Sequence, residues 1–538
     1  MSLFGSLYVG VSGLQMGQNA LNTTAHNMSN MDTVGYTRQQ VQQGTRIYNT
    51  ISTSASAVSY QQIGLGVNYS QVKQVRDYFL DKTYRRESGR SAFYDVSLSA
   101  VEEVEDLLQE LQGEAFADSI ENLWSAVQEL AKDPGNSVNQ GVFVQRCNEF
   151  LTRGQAVYTG LCEYQANLNY NIGQEVDTIN AYAKRIAELN KEILKIEGGK
   201  IEKANDLKDE RNQLIDELSA MGYIDCRSDY DGNILIKFEG KDLVKSDSAN
   251  EIGLYVDEVT GFYIPYWKQL AETKTVNGIE TVDITGAELF NMNQTISTDR
   301  NTDIGALKSM MFARGNKSAT FKDLEDADTY DREISQSIVM NIQAEFDRLM
   351  HDVAIGINKI LKDAADAETA KNPNSTYLRD ANGNPYTIYN TKTGETDDDA
   401  FTVENLIING EVKQAPSLLG FKKEDGKIDQ ETADALKNLF TEETHTLNPN
   451  VKTTTNFINF YNNLVSQVAT TGDVLSGISE NQQITVDNTA AAREQILGVS
   501  SDEELSNMIM FQNAYNAASR YINVISELME HVINTLGS

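Results

Sequence analysis

The sequence predicts an α+β multidomain protein in which helices predominate and the two ends of the chain meet. Apolar residues recur at heptad spacing at both ends, and segments with hairpin-turn signals interrupt the long helical stretches between them. We therefore expect a discontinuous coiled-coil stem of N- and C-terminal helices, a long-helix bundle and two β-rich inserted outer domains. The 538 residues exceed what one hydrophobic core usually organises, which indicates several domains.

The heptad pattern at the two ends predicts an assembly seam. An apolar stripe on one helix needs a partner helix alongside to remove it from water. We expect the terminal helices to pair and the protein to polymerise through its ends, with Gly10, Gly13 and Gly17 allowing close approach of neighbouring subunits. The predicted seam residues are Phe4, Leu7, Val11, Leu14, Leu21, Met28, Met508, Phe511, Tyr515, Ile522, Ile525, Met529, Val532 and Leu536.

Periodicity predicts long helices through the first half of the chain. The first helix spans about Ser2 to Met28, and the segment that follows it is poor in helix signals. Asp133-Pro134-Gly135 interrupts the next helical region, and the long helix after it ends at Gly198-Gly199. A second helix, from about Ala204 to Met221, completes a predicted helical hairpin.

The second half of the chain alternates inserted and helical segments. Asp231-Gly232-Asn233, Thr260-Gly261 and Asn277-Gly278 are typical of hairpin turns. Helix returns from about Tyr330 to Ala365, and a capping box formed by Ser501 and Glu504 predicts the start of the last helix. The predicted domains are 1–60, a coiled-coil segment that pairs with 500–538; 61–224, helical; 225–297, a β-rich insertion; 298–370, helical; 371–450, a second α/β insertion; 451–499, a return helix; and 500–538, the C-terminal coiled-coil helix.

Composition excludes several functional classes. The formal net charge is −33 and no run is dense in Lys or Arg, which argues against binding to nucleic acid or anionic membranes. We find no apolar run long enough to span a membrane and no basic segment followed by an apolar one, as a Sec signal requires. We therefore expect a cytoplasmic protein, or one exported by a route that reads no such signal.

The sequence contains no motif for catalysis, a cofactor or a metal. The histidines form no zinc-binding pattern, and Cys147, Cys162 and Cys226 are spaced as buried free thiols rather than as a disulfide framework. Asp229–Asn233 and Asp380–Asn384 begin like calcium loops but lack the glycine and glutamate that an EF-hand needs at its later positions. We predict that the protein is not an enzyme.

Specific residues near the N-terminus resemble a known family. The segments 20–30 (ALNTTAHNMSN) and 32–38 (DTVGYTR) resemble the signature of bacterial flagellar rod, hook and hook-associated proteins, with Val34 where that family usually has proline. Ala204 to Ser219, Asp303 to Arg314 and Ser501 to Leu536 are most similar to its hook-associated members. The residues that carry the signature are Asn27, Ser29, Asn30, Gly35, Tyr36 and Arg38.

The resemblance implies a structural subunit at the junction between flagellar hook and filament. Its implied partners are further copies of itself in a ring, the hook protein, the second hook–filament junction protein and a cytoplasmic export chaperone at the C-terminal helix. It also implies an extracellular location, reached through the flagellar type III system without a cleaved signal peptide, and terminal helices that order on assembly.

Two alternatives remain open at this point. One is another flagellar axial protein: the second junction protein, or a hook or rod subunit, although the helix from Ala204 to Ser219 argues against the latter two. The other is an exported enzyme or adhesin with its activity in an inserted domain, such as a paired-carboxylate muramidase in 371–450.

Overall fold

Helices form most of the computed structural model, which describes residues 3–46, 49–53, 60–109, 116–199, 202–276 and 279–536. Several helices exceed thirty residues, consistent with the scarcity of proline in the sequence. The helices are α1 (Leu3–Ser29), α2 (Tyr78–Gln109), α3 (Phe116–Lys132), α4 (Ser137–Glu197), α5 (Asn205–Met221), α6 (Ala306–Arg314), α7 (Ala327–Thr329), α8 (Ile338–Lys371), α9 (Gly410–Gln414), α10 (Gln430–Thr441), α11 (Phe457–Leu497) and α12 (Ser501–Leu536).

The strands form small antiparallel sheets. The strands are β1 (Gln39–Thr45), β2 (Asn49–Thr53), β3 (Tyr60–Ile63), β4 (Val67–Gln74), β5 (Ile224–Ser228), β6 (Ile234–Phe238), β7 (Lys241–Val244), β8 (Ile252–Val256), β9 (Tyr263–Trp267), β10 (Glu272–Val276), β11 (Ile279–Asp283), β12 (Tyr389–Thr391) and β13 (Leu406–Ile408). Strand β1 pairs with β4 and β2 pairs with β3, and the remaining sheets are β5–β6–β7, β8–β9, β10–β11 and β12–β13.

One of two compact units contains both terminal helices. It comprises residues 1–89, 178–251 and 482–538. Asn190 of α4 holds the β5–β6 hairpin, because its side chain exchanges hydrogen bonds with the Ile234 backbone at 3.0 and 3.2 Å. The same Asn190 accepts a hydrogen bond at 2.8 Å from the buried guanidinium of Arg211 in α5. These contacts join the helical hairpin α4–α5 to the sheet that follows it.

The other unit contains the largest hydrophobic core. It comprises residues 90–177 and 252–481, and its core combines α3, α8 and α10 with parts of α2, α4 and α11. Asn358 of α8 binds β12 through the Ile388 and Tyr389 backbone at 2.7 to 3.1 Å. Asp347, also on α8, accepts the Phe321 and Val403 backbone N–H groups at 2.9 and 2.6 Å. These buried side chains anchor the irregular segments on the helix.

The predicted α+β class and the order of the long helices agree with the structure, with differences at several boundaries. Residues 330–334 form a π-turn, and the helix predicted from Tyr330 begins at Ile338 after a cap by the Ser337 hydroxyl. The last helix is capped by Ser500, whose hydroxyl accepts the Glu503 N–H at 3.5 Å, and not by Ser501. The predicted Asn277-Gly278 turn lies outside the described residues.

The domain boundaries, the coiled-coil stem and the two inserted outer domains stay predictions. The two compact units divide the chain differently from the predicted domains, and the division between residues 251 and 252 falls inside the predicted 225–297 insertion.

Within the described residues, no helix is long and apolar enough to cross a membrane.

Candidate assembly surface and signature turn

Helix α1 lies antiparallel against α12, and the face of α1 that meets α12 contains glycines. Gly10 lies against Ile522 and Gly17 against Tyr515, so positions ascend along α1 as they descend along α12. A Cβ atom added at Gly10 would lie 2.7 Å from Ile522 Cγ1, and one at Gly17 would lie 3.2 Å from Tyr515 Cα. The absence of these side chains is what lets the two backbones approach.

The predicted C-terminal seam contributes to this contact. Tyr515 and Ile522 face the glycines, and Ile525 is only 7% exposed. Met508, Phe511 and Met529 are half-buried, Val532 is exposed, and the side chain of Leu536 lies outside the described residues.

The predicted N-terminal seam residues are half-buried or exposed in the single chain, and their role in assembly stays a prediction. Phe4 is 68% exposed and Val11 is 38% exposed, whereas Leu7, Leu14, Leu21 and Met28 are half-buried. A search for heptad spacing selects large apolar residues, but α1 and α12 approach most closely where the side chains of α1 are smallest. In the structure the glycines serve a contact within one chain, and the expected contact with neighbouring subunits stays a prediction. The buried positions of α1 are Ser6, Gly10, Ser12, Met16, Gly17, Ala20, Thr24 and Asn27.

Each terminal helix also carries an apolar stripe that faces solvent. On α1 the spacing of Phe4, Tyr8 and Val11 places them on one side, and α1 contains no Asp, Glu, Lys or Arg. On α12 the exposed stripe consists of Met510, Val524 and Leu528. We call these two sets the exposed stripes. Contiguous exposed apolar residues mark interaction sites in soluble proteins.

The signature residues form a turn that returns the chain after α1. The buried Asn27 accepts hydrogen bonds at its Oδ1 from the Tyr36 hydroxyl at 2.7 Å and from the Gln39 N–H at 3.0 Å. Its Nδ2 donates to the Gln39 carbonyl at 2.8 Å. Gly35 has φ +81°, a left-handed conformation that favours glycine. Burial raises the pKa of the Tyr36 hydroxyl, so this group remains a donor.

The other signature residues end α1 and reach the C-terminal helix. Ser29 Oγ donates to the Ala25 carbonyl at 2.8 Å and Asn30 Nδ2 donates to the His26 carbonyl at 3.0 Å, which satisfies carbonyl groups of the last turn. Arg38 Nη1 lies 2.7 Å from Glu503 Oε2, in the first turn of α12. Sequence comparison located these residues, but their partners depend on contacts between distant segments.

An ionic network that sequence reasoning missed holds α2, α5 and α11 together beside this turn. Asp216 accepts from Arg85 Nε and Arg493 Nη2, each at 2.6 Å, and Asp81 accepts from Arg493 Nε at 2.7 Å. Burial opposes ionisation of Asp81, but hydrogen bonds and positive charge from Arg76 outweigh it and lower the pKa of Asp81. Because each charged group has an opposite partner, the network orders the ends of three helices.

The described residues contain no cluster of His, Cys, Asp and Glu that could hold a metal ion. Glu345 and Asp347 are buried carboxylates, but amide donors occupy them, including the Asn448 side chain at 2.7 Å from Glu345. Burial raises the pKa of each to about 7. Their contacts are those of groups that order loops.

Three family models match the chain. The flagellar hook-associated protein FlgK helical domain matches residues 101–374, the flagella basal body rod protein matches 7–37, and the flagellar basal body rod FlgEFG protein C-terminal region matches 495–536. The two terminal matches coincide with α1 and its turn and with α12. Paired termini of this kind define a structural protein of the flagellar rod and hook class.

Full-length relatives specify the family. The chain is 25% identical to flagellar hook-associated protein 1 of Bacillus subtilis, over 100% of this chain and 99% of the relative. It is 25% identical to the Salmonella typhimurium protein of that name, over 97% and 98% of the two chains, and 24% identical to that of Escherichia coli over the same shares. The chain belongs to the FlgK family of flagellar hook-associated proteins, which are structural proteins and not enzymes.

The fold has a solved counterpart. The flagellar hook junction protein FlgK from Burkholderia pseudomallei matches with a TM-score of 0.55 and 11% identity, over 78% of this chain and 100% of that one. This likeness concerns the fold alone. Family membership indicates assembly with other flagellar proteins and a location on the flagellum, exposed outside the cell.

Proposed function

We propose that this protein forms the junction between the flagellar hook and filament, where copies associate through their terminal helices into a ring. The observation that carries the proposal is the pair of exposed stripes on α1 and α12. One face of each helix is used within the chain, whereas the apolar side chains of the exposed stripes face solvent among the residues that the structure describes. In the proposed ring these stripes contact neighbouring copies.

The proposed partners follow from this position. They are further copies of the chain, the hook protein on one side, and the second hook–filament junction protein on the other. Before export through the type III system, a cytoplasmic chaperone would cover the exposed stripe of α12, because apolar stripes promote non-specific association. The full-length relatives, which are flagellar hook-associated proteins, support an assignment to this part of the flagellum.

Electron microscopy of a strain that lacks the gene tests the proposal, with flagellin measured in the medium. We expect complete hooks without filaments and flagellin lost to the medium. Missing hooks would assign the protein to the rod or hook instead. Loss of the second junction protein would give the same phenotype. Binding of purified protein to isolated hook tips therefore distinguishes the two candidates.

Variants on the exposed stripes test the surface itself. Val524→Glu and Leu528→Glu place charge on the α12 stripe and should abolish filaments while the protein is still made, and its amount in the medium separates failed assembly from failed export. Val259→Glu is the matched control, because Val259 is 92% exposed on the β8–β9 turn, outside the terminal helices. Normal filaments with both stripe variants would refute assembly through this surface.

A further inference from the structure

The two segments that connect the terminal helices to the rest of their unit are bonded to each other. The Arg38 N–H donates to the Leu497 carbonyl at 2.8 Å, and the Arg38 guanidinium meets the Glu503 carboxylate at 2.7 Å. Arg38 follows α1 and its turn, whereas Leu497 ends α11 and Glu503 lies in α12. One residue thus binds both sides of the break between α11 and α12.

That break is short, so it limits the directions in which α12 can leave α11. Only residues 498–500 separate α11 from α12. Ser500 caps the new helix through its hydroxyl at 3.5 Å from the Glu503 nitrogen, a long hydrogen bond. The carboxylate of Glu503 pairs with Arg38, and it also lies at the helix N-terminus, where negative charge is favourable.

The backbone around Arg38 is fixed from the other side by α5. Asp209 accepts the Thr37 N–H at 3.3 Å and the Gln74 side chain at 2.8 Å, and the Arg38 carbonyl accepts the Val75 N–H at 2.9 Å. Arg38 is thus held by the body of the unit and extends its side chain to the C-terminal helix.

We infer that Arg38 is a positioning residue that fixes the direction in which α12, with α1 packed on it, leaves the rest of its unit. The inference rests on the proposed function, because that direction determines how the exposed stripes meet a neighbouring copy. An exposed ion pair alone contributes little to stability. Here the pair acts on a three-residue connection, so a small energy selects among orientations of a long helix pair.

Charge reversal and its exchange test the inference in the full-length chain. The variants are Arg38→Glu, Glu503→Arg and the two combined. Spin labels at cysteines introduced for the exposed residues Asn516 of α12 and Glu217 of α5 report the distance between these helices. We expect one narrow distance distribution in the unchanged chain, a shift or broadening in each single variant, and a return to the original distribution in the double variant.

Arg227→Glu is the matched control, because Arg227 is an exposed arginine paired with Asp225 in the same unit. It should leave the distance unchanged. Circular dichroism and thermal unfolding of each variant separate a changed orientation from a failure to fold, and rescue by the double variant gives a second check.

Hook-tip binding by the same variants separates this inference from the proposed function. Each single variant should bind at least several-fold more weakly, and the double variant should recover. An unchanged distance distribution in both single variants, or a double variant that fails to restore it, would overturn the inference. A shifted distribution with undiminished hook-tip binding would support the positioning role and contradict the assembly surface.

Discussion

Replacing Gly10 by alanine should weaken the α1–α12 contact although alanine is the better helix former. Gly→Ala in a helix interior gains about 1 kcal/mol from propensity. At Gly10 the added Cβ would lie 2.7 Å from Ile522 Cγ1 and 3.0 Å from Tyr521 Cδ1. Overpacking of this kind costs about 1–3 kcal/mol. The net effect at Gly10 should therefore fall between no change and a loss of about 2 kcal/mol.

Gly477→Ala in α11 is the matched control, because a Cβ there meets no heavy atom within 4 Å. It should show the propensity gain of about 1 kcal/mol. Hydrogen exchange, read by mass spectrometry, measures the free energy of local opening of each helix in the purified chain. We expect faster exchange in α1 and α12 of Gly10→Ala and slower exchange in α11 of Gly477→Ala. Equal stabilisation by the two substitutions would refute the close approach.

Other regions give three further predictions. Asp216→Leu leaves the buried Arg85 without its carboxylate and should lower the free energy of opening of α5 by about 3 kcal/mol. Glu129→Gln, in an exposed ion pair, should change the stability little, and equal effects of the two substitutions would contradict a stabilising role of the network. The pKa of Glu345 is about 7, against about 4.3 unfolded, so the stability that this group contributes is lost as pH rises between those values. Glu345→Gln should gain stability relative to the unchanged chain over that pH interval, as measured by urea titrations. A difference in the free energy of unfolding that stays constant with pH would contradict this prediction. Burial raises the pKa of all the cysteine thiols to about 11 or 12, so a thiol reagent at pH 8 should react with them only after unfolding: Cys147, Cys162 and Cys226.

Local patterns in the sequence predicted the features that depend on neighbouring residues. The breaks near Pro134 and at Gly198-Gly199 are where helices end, and the Asp231-Gly232-Asn233 turn joins β5 to β6. In that turn Asp229 binds the backbone N–H groups of Asp231 and Asn233 at 2.9 Å, so its carboxylate is engaged within the loop. Such hydrogen bonds form within a few residues and need no tertiary context.

Features that depend on distant segments could not be predicted in this way. The small face of α1 lacks the large apolar residues that a heptad search finds, so only the position of α12 identifies it as the contact face. Ser500 and Ser501 each have a glutamate three residues later, so both could be the cap of a capping box. In the structure Ser500 is the cap, and Glu503 pairs with Arg38. The ionic network joins residues from three helices, whose charges in the sequence resemble those of any solvated surface.

The glycines of α1 have a consequence for the order in which the molecule is completed. Gly10 contacts Ile522, so the first helix has its partner only when the last one has been synthesised. Gly10, Gly13 and Gly17 each lower the helix propensity of α1 by about 1 kcal/mol, which leaves it with little tendency to stay helical alone. A chain cut short before α12 would lack the contact that orders its own beginning. A prematurely terminated product would therefore lack the paired helices on which the proposed assembly depends.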